Sequence, residues 1–116
     1  MDKQSKEMQE LDAWLGENPM AWHTDTSKSF YFDSRHRQVM SVVSWHPTTS
    51  IVQAFAVVDK LYQDRDFLSS LFCVFDAGAL VWRASFFKKF TGGYQITAKT
   101  RELAICQAAK KAMEAK

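Results

Sequence analysis

The sequence predicts an α+β fold: a layered α/β/α sandwich, mainly antiparallel in its sheet, with the element order α-β-β-α-β-β-(β)-α. Three observations lead there. Residues 51–62 carry apolar side chains at helical spacing, residues 66–87 read as two strands around a tight turn, and small apolar residues recur at helical spacing near the end of the chain. Hairpins flanked by helices, rather than strands alternating singly with helices, indicate an antiparallel layered domain.

In chain order, a helix is expected from about Gln4 to Leu15. Met8, Leu11 and Leu15 share one face with Trp14 beside them, and Glu7, Gln9 and Glu10 face away. Gly16 suits a left-handed helix end, and Pro19 prevents the helix from resuming. A short strand is possible at 20–23. Ser29 to Asp33 and Gln38 to Ser44 follow as strands, joined by a polar turn at Ser34-Arg35-His36-Arg37. Ile51, Ala54, Phe55, Val58, Leu61 and Tyr62 then form the clearest helical stripe. Thr48, Thr49 or Ser50 can cap its start, and Ser50 with Gln53 also fits a capping box.

Residues 66–75 are apolar on both faces, with Phe67, Leu71, Cys73 and Phe75 on one and Leu68, Phe72 and Val74 on the other. Such a strand is expected at the centre of the sheet, covered on both sides. Asp76-Ala77-Gly78 turns the chain into a return strand from Leu80 to Phe87, where Leu80, Trp82, Ala84 and Phe86 alternate with Arg83 and Ser85. Residues 88–94, with Gly92-Gly93, read as a flexible connection, and a brief strand is possible at 94–97. A last helix runs from about Thr100 to Ala115, burying Ile105, Cys106, Ala109, Ala112 and Met113.

The 116 residues fit one domain, 1–116, and a chain of that size buries roughly two-thirds of its unfolded surface. With 47% hydrophobic and 24% charged residues it belongs with globular proteins rather than disordered ones. The formal charge of +2 gives no bulk attraction to nucleic acid or membranes. Cys73 and Cys106 both sit in apolar segments and read as buried free thiols, as in a reducing cytosol. The polar start and the lack of a long apolar run point to a cytoplasmic protein with no membrane partner.

The ordered blocks carry a resemblance. Leu11-Asp12 lies in the first helix, followed by Asn18-Pro19-Met20-Ala21-Trp22. Then come Pro47-Thr48-Thr49-Ser50, the run Ala54 to Leu61, Val81 to Phe87, and Leu103-Ala104-Ile105-Cys106-Gln107-Ala108-Ala109-Lys110-Lys111-Ala112. This series resembles the phage ABA sandwich family, small proteins of phages and prophages, and the resemblance covers most of the chain. It implies a helix–sheet–helix sandwich and no assigned reaction, so it carries over no catalytic residue.

Chemistry-bearing residues are sparse. His23, His36 and His46 have no metal-ligand spacing, and neither cysteine belongs to a Cys-x-x-Cys pair. Ser44 and Ser85 lack a nucleophile elbow, Gly92-Gly93 lacks the lysine of a phosphate loop, and Asp64 and Asp66 flank Arg65 as in a solvated turn. The chain is therefore expected to be non-enzymatic, with no cofactor and no metal.

Two surfaces stand out. Trp14, Trp22 and Trp45 lie at element ends, where such rings often anchor protein interfaces; the bland alternative is that they close the ends of a small core. Arg35 and Arg37, with Arg83, Lys88 and Lys89, would contact phosphates if the hairpin tips converge, with Tyr31 or Tyr94 stacking on bases. The expected function is a phage or prophage accessory protein that binds a host factor, a defence component or a second copy of itself. The alternative is nucleic-acid binding through the basic tips.

Overall fold

The computed structural model describes residues 6–88 and 92–114. Helix α1 spans Lys6–Glu17, strands β1, β2 and β3 span His23–Thr24, Phe30–Phe32 and Gln38–Ser41, and a single 3-10 turn follows at Val42–Ser44. Helix α2 spans Ile51–Arg65, strands β4, β5 and β6 span Leu68–Asp76, Ala79–Lys88 and Gly92–Ala98, and α3 closes the order at Arg101–Glu114. The predicted α+β class and element order are what the chain forms. Instead of one sheet there are two, each of three antiparallel strands in sequential order: β1-β2-β3 and β4-β5-β6. Gln4, Ser5, Ala115 and the middle of the predicted connection at 89–91 lie outside the described residues.

Helix α3 is the hub. One side lies on β5 and β6, and its flanks touch α2 and α1. Ala104, Cys106, Ala108 and Ala109 are fully buried there. With side chains this small, the helix backbone sits close to the sheet, and Ala84 and Phe86 of β5 pack beneath it. Burying a ring like Phe86 contributes about 2–3 kcal/mol. The other end of the core gathers Leu11, Leu15, Tyr31 and Trp45. The molecule is thin, 45 × 41 × 21 Å. Its short dimension is close to that of two stacked layers spaced about 10 Å apart.

Several elements differ from their sequence reading, each for a local reason. Gly16 is inside α1 and does not turn left-handed; α1 ends instead with Asn18, whose backbone and side-chain nitrogens both donate to Trp14 O at 2.9 Å. What Gly16 supplies is space. A Cβ there would stand 3.1 Å from Tyr31 Cζ and 3.2 Å from Trp45 Nε1, tighter than packed atoms normally approach. The predicted strand at 38–44 stops at Ser41, because Val42–Ser44 coil into the 3-10 turn that swings Trp45 inward. At the start of α2, Ser50 Oγ accepts the Gln53 N–H as expected. The Gln53 side chain does not complete the capping box: its Nε2 donates to Ser44 O at 2.7 Å and its Oε1 accepts the His46 N–H at 2.6 Å. It ties the incoming loop to the helix instead.

The largest correction concerns β4. Among the described residues it pairs only with β5, so it is an edge strand rather than the covered centre, and β5 takes the middle. Its residues are exposed or half-buried along the whole strand, and Cys73 is exposed rather than buried. The hairpin that follows turns through Ala77 and Gly78, both at positive φ (51° and 82°). That is the pair of signs required by the two-residue turn whose twist matches the strands. β6 is also longer than the brief strand expected, running in unbroken register from Gly92 opposite Lys88 to Ala98 opposite Trp82.

A buried carboxylate joins α1 to the loop before α2. Asp12 on α1 accepts the Thr48 N–H at 2.9 Å and the Thr48 hydroxyl at 3.0 Å, and its own carbonyl accepts Trp45 Nε1–H at 2.8 Å. Asp12 and Thr48 are both buried. Removing the carboxylate strands two buried donors, each costing about 1–3 kcal/mol. Asp12→Ala is therefore expected to destabilise the chain by about 3 kcal/mol, read as a lower urea midpoint at unchanged m-value. A loss within 0.5 kcal/mol would mean that water replaces the carboxylate at no cost.

Candidate protein-binding face

Strand alternation sorts the second sheet into two faces. Leu71, Ala84 and Ile96 stand in register and face the helices, as do Phe86 and Tyr94. On the opposite face β4 places Leu68, Ser70, Phe72 and Val74, β5 places Val81, Arg83, Ser85 and Phe87, and β6 places Gln95 and Thr97. Leu68, Phe72 and Phe87 are exposed large hydrophobics. Phe87 lies across Gly93, where a Cβ would come within 2.8 Å of Phe87 Cβ; only glycine lets the ring rest there.

Arg83 sits at the centre of this face. Its register partners are Phe72 on one side and Thr97 on the other. Its Nε is buried and, among the described residues, has no hydrogen-bond partner. A buried guanidinium N–H with no acceptor costs free energy that a carboxylate or carbonyl brought from outside would recover. The arrangement is a mixed sheet surface, with exposed Leu68, Phe72 and Phe87 beside Ser70, Ser85, Gln95 and Thr97, and an unsatisfied cationic donor in its middle. Sequence reasoning missed it by taking the apolar double face of residues 66–75 as proof of cover within the chain. The signal was already there: a strand apolar on both faces requires cover, and the sequence does not say from which molecule.

The residues singled out from sequence fare differently. Trp45 is buried, 4% exposed, so it is core rather than a surface anchor. The physical cause is its Nε1–H bond to Asp12 O and an edge-on contact with Trp22 at 4.8 Å between ring centroids. Trp22 is half-buried and packs at 5.5 Å on Tyr31. Trp14 is half-buried in the shallow groove between α1 and α3, with Lys110 Nζ 5.6 Å from its ring centroid. The three indoles do not form one patch.

The basic clusters lie on separate sheets. Arg35 and Arg37 belong to the β2–β3 turn, whereas Arg83 is in mid-strand, away from any hairpin tip. Asp33 organises that turn: it accepts the Arg35 and Arg37 N–H groups at 2.9 and 3.0 Å and Arg37 Nε–H at 2.9 Å. The Arg37 backbone donor, with that of Arg35 and the Arg37 guanidinium, holds the Asp33 carboxyl below its ordinary value. Lys88 Nζ sits 4.8 Å from the Phe67 ring centroid, and Lys89 lies outside the described residues. Tyr31 is buried, so it offers no face to a base, and Tyr94 points beneath the helices.

Histidines cluster more than their spacing suggests. His23 stacks on Phe32 at 5.9 Å and meets His36 edge-on at 5.1 Å, because β1 pairs with β2 directly beside the turn. His46 Nδ1 is 3.1 Å from Thr49 Oγ1. Among the described residues, no group of three or more His, Cys, Asp or Glu side chains gathers as a metal site requires. Among the same residues, no helix is long and apolar enough to cross a membrane.

These features define a small layered α+β domain whose second sheet is open on one face. The profile of the Phage ABA sandwich domain matches residues 13–110, and the chain belongs to that family. A phage protein from Bacillus cereus ATCC 14579 has a similar solved structure, with a TM-score of 0.69 over 98% of this chain and 94% of that one. At 12% identity the likeness is one of fold alone. No curated protein matches the chain.

The two thiols give opposite expectations. Cys106 is fully buried, and burial first, then the charges of Asp12 and Glu102, push its thiol far above the ordinary value of 9.0. Cys73 is expected to react with an aromatic disulfide in the native chain, while Cys106 stays silent until unfolding. The folded chain keeps a Cys106 proton that the unfolded chain gives up. Stability is thus full below about pH 9 and falls above it, by at most about 1.4 kcal/mol per pH unit. Burial raises Tyr31 as well, adding to the decline at higher pH. Urea titrations from pH 7 to 10.5 should show the loss, and Cys106→Ala should reduce its slope. An equal slope in both chains would assign the decline elsewhere.

Proposed function

We propose that this phage protein acts without catalysis, by docking the open face of its second sheet onto a bacterial host protein, a component of antiviral defence being the target class. The observation that carries this reading is Arg83, whose buried Nε lacks an acceptor amid exposed Leu68, Phe72 and Phe87. Apolar anchors around an arginine are the composition of interface hot spots. The fitting partner presents an apolar surface with a carboxylate at its centre, and occupancy of that surface blocks the target without turnover. Nucleic acid is the less supported partner: Arg37 is engaged by Asp33, and the two basic clusters lie on different sheets.

Affinity capture from host lysate is expected to recover one specific protein with the native chain. The same protein should be lost, with affinity reduced at least about tenfold, on Arg83→Glu or Phe87→Ser. Both variants should melt as cooperatively as the native chain. Recovery of the same proteins by native and variant chains, or a mobility shift with DNA that Arg35→Ala with Arg37→Ala abolishes, would overturn the reading.

A further inference from the structure

Strand β4 has the properties of an edge awaiting another strand. Nine residues long, it spans about 30 Å with one row of backbone groups unpaired by any strand. Edges that stay single are normally protected by lysine, proline, a bulge or brevity. β4 has none of these: its sequence is Leu-Ser-Ser-Leu-Phe-Cys-Val-Phe-Asp, and its nine pairs with β5 run without a register shift. Asp76, its only charged residue, stands at one end. By contrast, β2 against β3 carries a shift between Tyr31 and Phe32.

Exposed apolar side chains concentrate around this edge. Phe72 is 57% exposed, Phe75 76% and Leu80 62%, Leu68 is exposed on the same strand as Phe72, and Phe55 of α2 is exposed where it lines a pocket with Ser69, Ser70 and Leu71. Among the described residues, β6 on the opposite edge carries no exposed large hydrophobic side chain. The free parts of Leu68, Phe72, Phe75, Leu80 and Phe55 come to on the order of 550 Å², a large share of the roughly 800 Å² each partner contributes to a standard specific interface.

We propose that β4 pairs with β4 of a second copy of this chain, antiparallel about a two-fold axis at Phe72, joining two sheets into one of six strands. Only the axis at Phe72 pairs all nine residues, setting Ser70 opposite the partner's Val74 and Leu71 opposite the partner's Cys73. Asp76 falls opposite the partner's Leu68, so the two carboxylates lie at opposite ends and do not repel. Phe75 falls opposite the partner's Ser69. Ser69 lines a pocket of about 120 Å³ between α2 and the second sheet, together with Phe55, Val58, Leu71 and Ile105. Phe75 of each copy thus enters the pocket of the other. Pairing of β4 with β6 would be head-to-tail and leave one β4 edge free to add further copies, whereas β4 with β4 uses both β4 edges and closes. The open faces carrying Arg83 then lie side by side on one surface.

Light scattering coupled to size exclusion is expected to give twice the 13.3 kDa chain mass at tens of micromolar. In this register Cys73 and the partner's Cys73 are diagonal neighbours, about 7–8 Å apart. A short bis-maleimide should therefore yield a covalent dimer with the native chain and none with Cys73→Ser. Phe75→Lys, at an exposed position, should keep the native circular dichroism and weaken dimerisation at least about thirtyfold. A native chain of monomer mass would overturn the proposal, as would a dimer that neither cross-links at Cys73 nor responds to Phe75→Lys. The cross-link is read on the native chain and does not depend on a variant folding. Arg83→Glu lies on the central strand and should leave the dimer intact, so loss of the host partner and loss of the dimer are separate results.

Discussion

The Asp12 carboxylate holds the first helix and the loop before α2 in one arrangement. It is buried, and it accepts both donors of Thr48 while the carbonyl of the same residue accepts the Trp45 indole. Those three bonds fix α1 against the loop that launches α2, and they aim Trp45 into the core beside Tyr31. Gly16, one turn further along α1, must then be a glycine, because Tyr31 and Trp45 occupy the space a side chain would need. From this junction the small residues of α3 extend the core beneath the second sheet. A buried carboxylate used in this way favours specificity more than raw stability, since its desolvation offsets much of what its hydrogen bonds contribute.

Elements with strong local signals were legible in the sequence. The helix beginning at Ile51, the Ser50 cap, the Ala77-Gly78 turn and the small-residue face of α3 were all expected where they occur. Each depends on residues within a turn or two of one another. The buried face of α2, however, runs through Ala54, Val57 and Leu61 and leaves the predicted Phe55 and Tyr62 exposed. What could not be read depends on distant partners. Gln53 leaves its capping role because Ser44 and His46 happen to be within reach. The Trp45 ring turns inward because Asp12, far away in sequence, offers its carbonyl.

The candidate site was legible only in part. Arg83 was noticed as a charge, but its strand was not known to be central, nor its Nε to lack an acceptor. The misplacement of β4 has one cause. Apolar residues on both faces indicate that a strand is destined for burial, and periodicity does not reveal whether the cover comes from the same chain. Cys73 shifts from buried to exposed for the same reason.

Synthesis order gives the Asp12 junction a further meaning. Helix α1 leaves the ribosome well before its helical neighbour α3, with roughly 85 residues between them. At roughly 5–20 residues per second, α1 waits several seconds or more for that neighbour. Thr48, Trp45 and Tyr31 emerge much sooner, so the nascent amino-terminal half can shelter Leu11 and Leu15 before the rest exists. The Asp12–Thr48 bonds can therefore close before α3 is made, so the loop before α2 is available to α1 earlier than the helix it finally packs against.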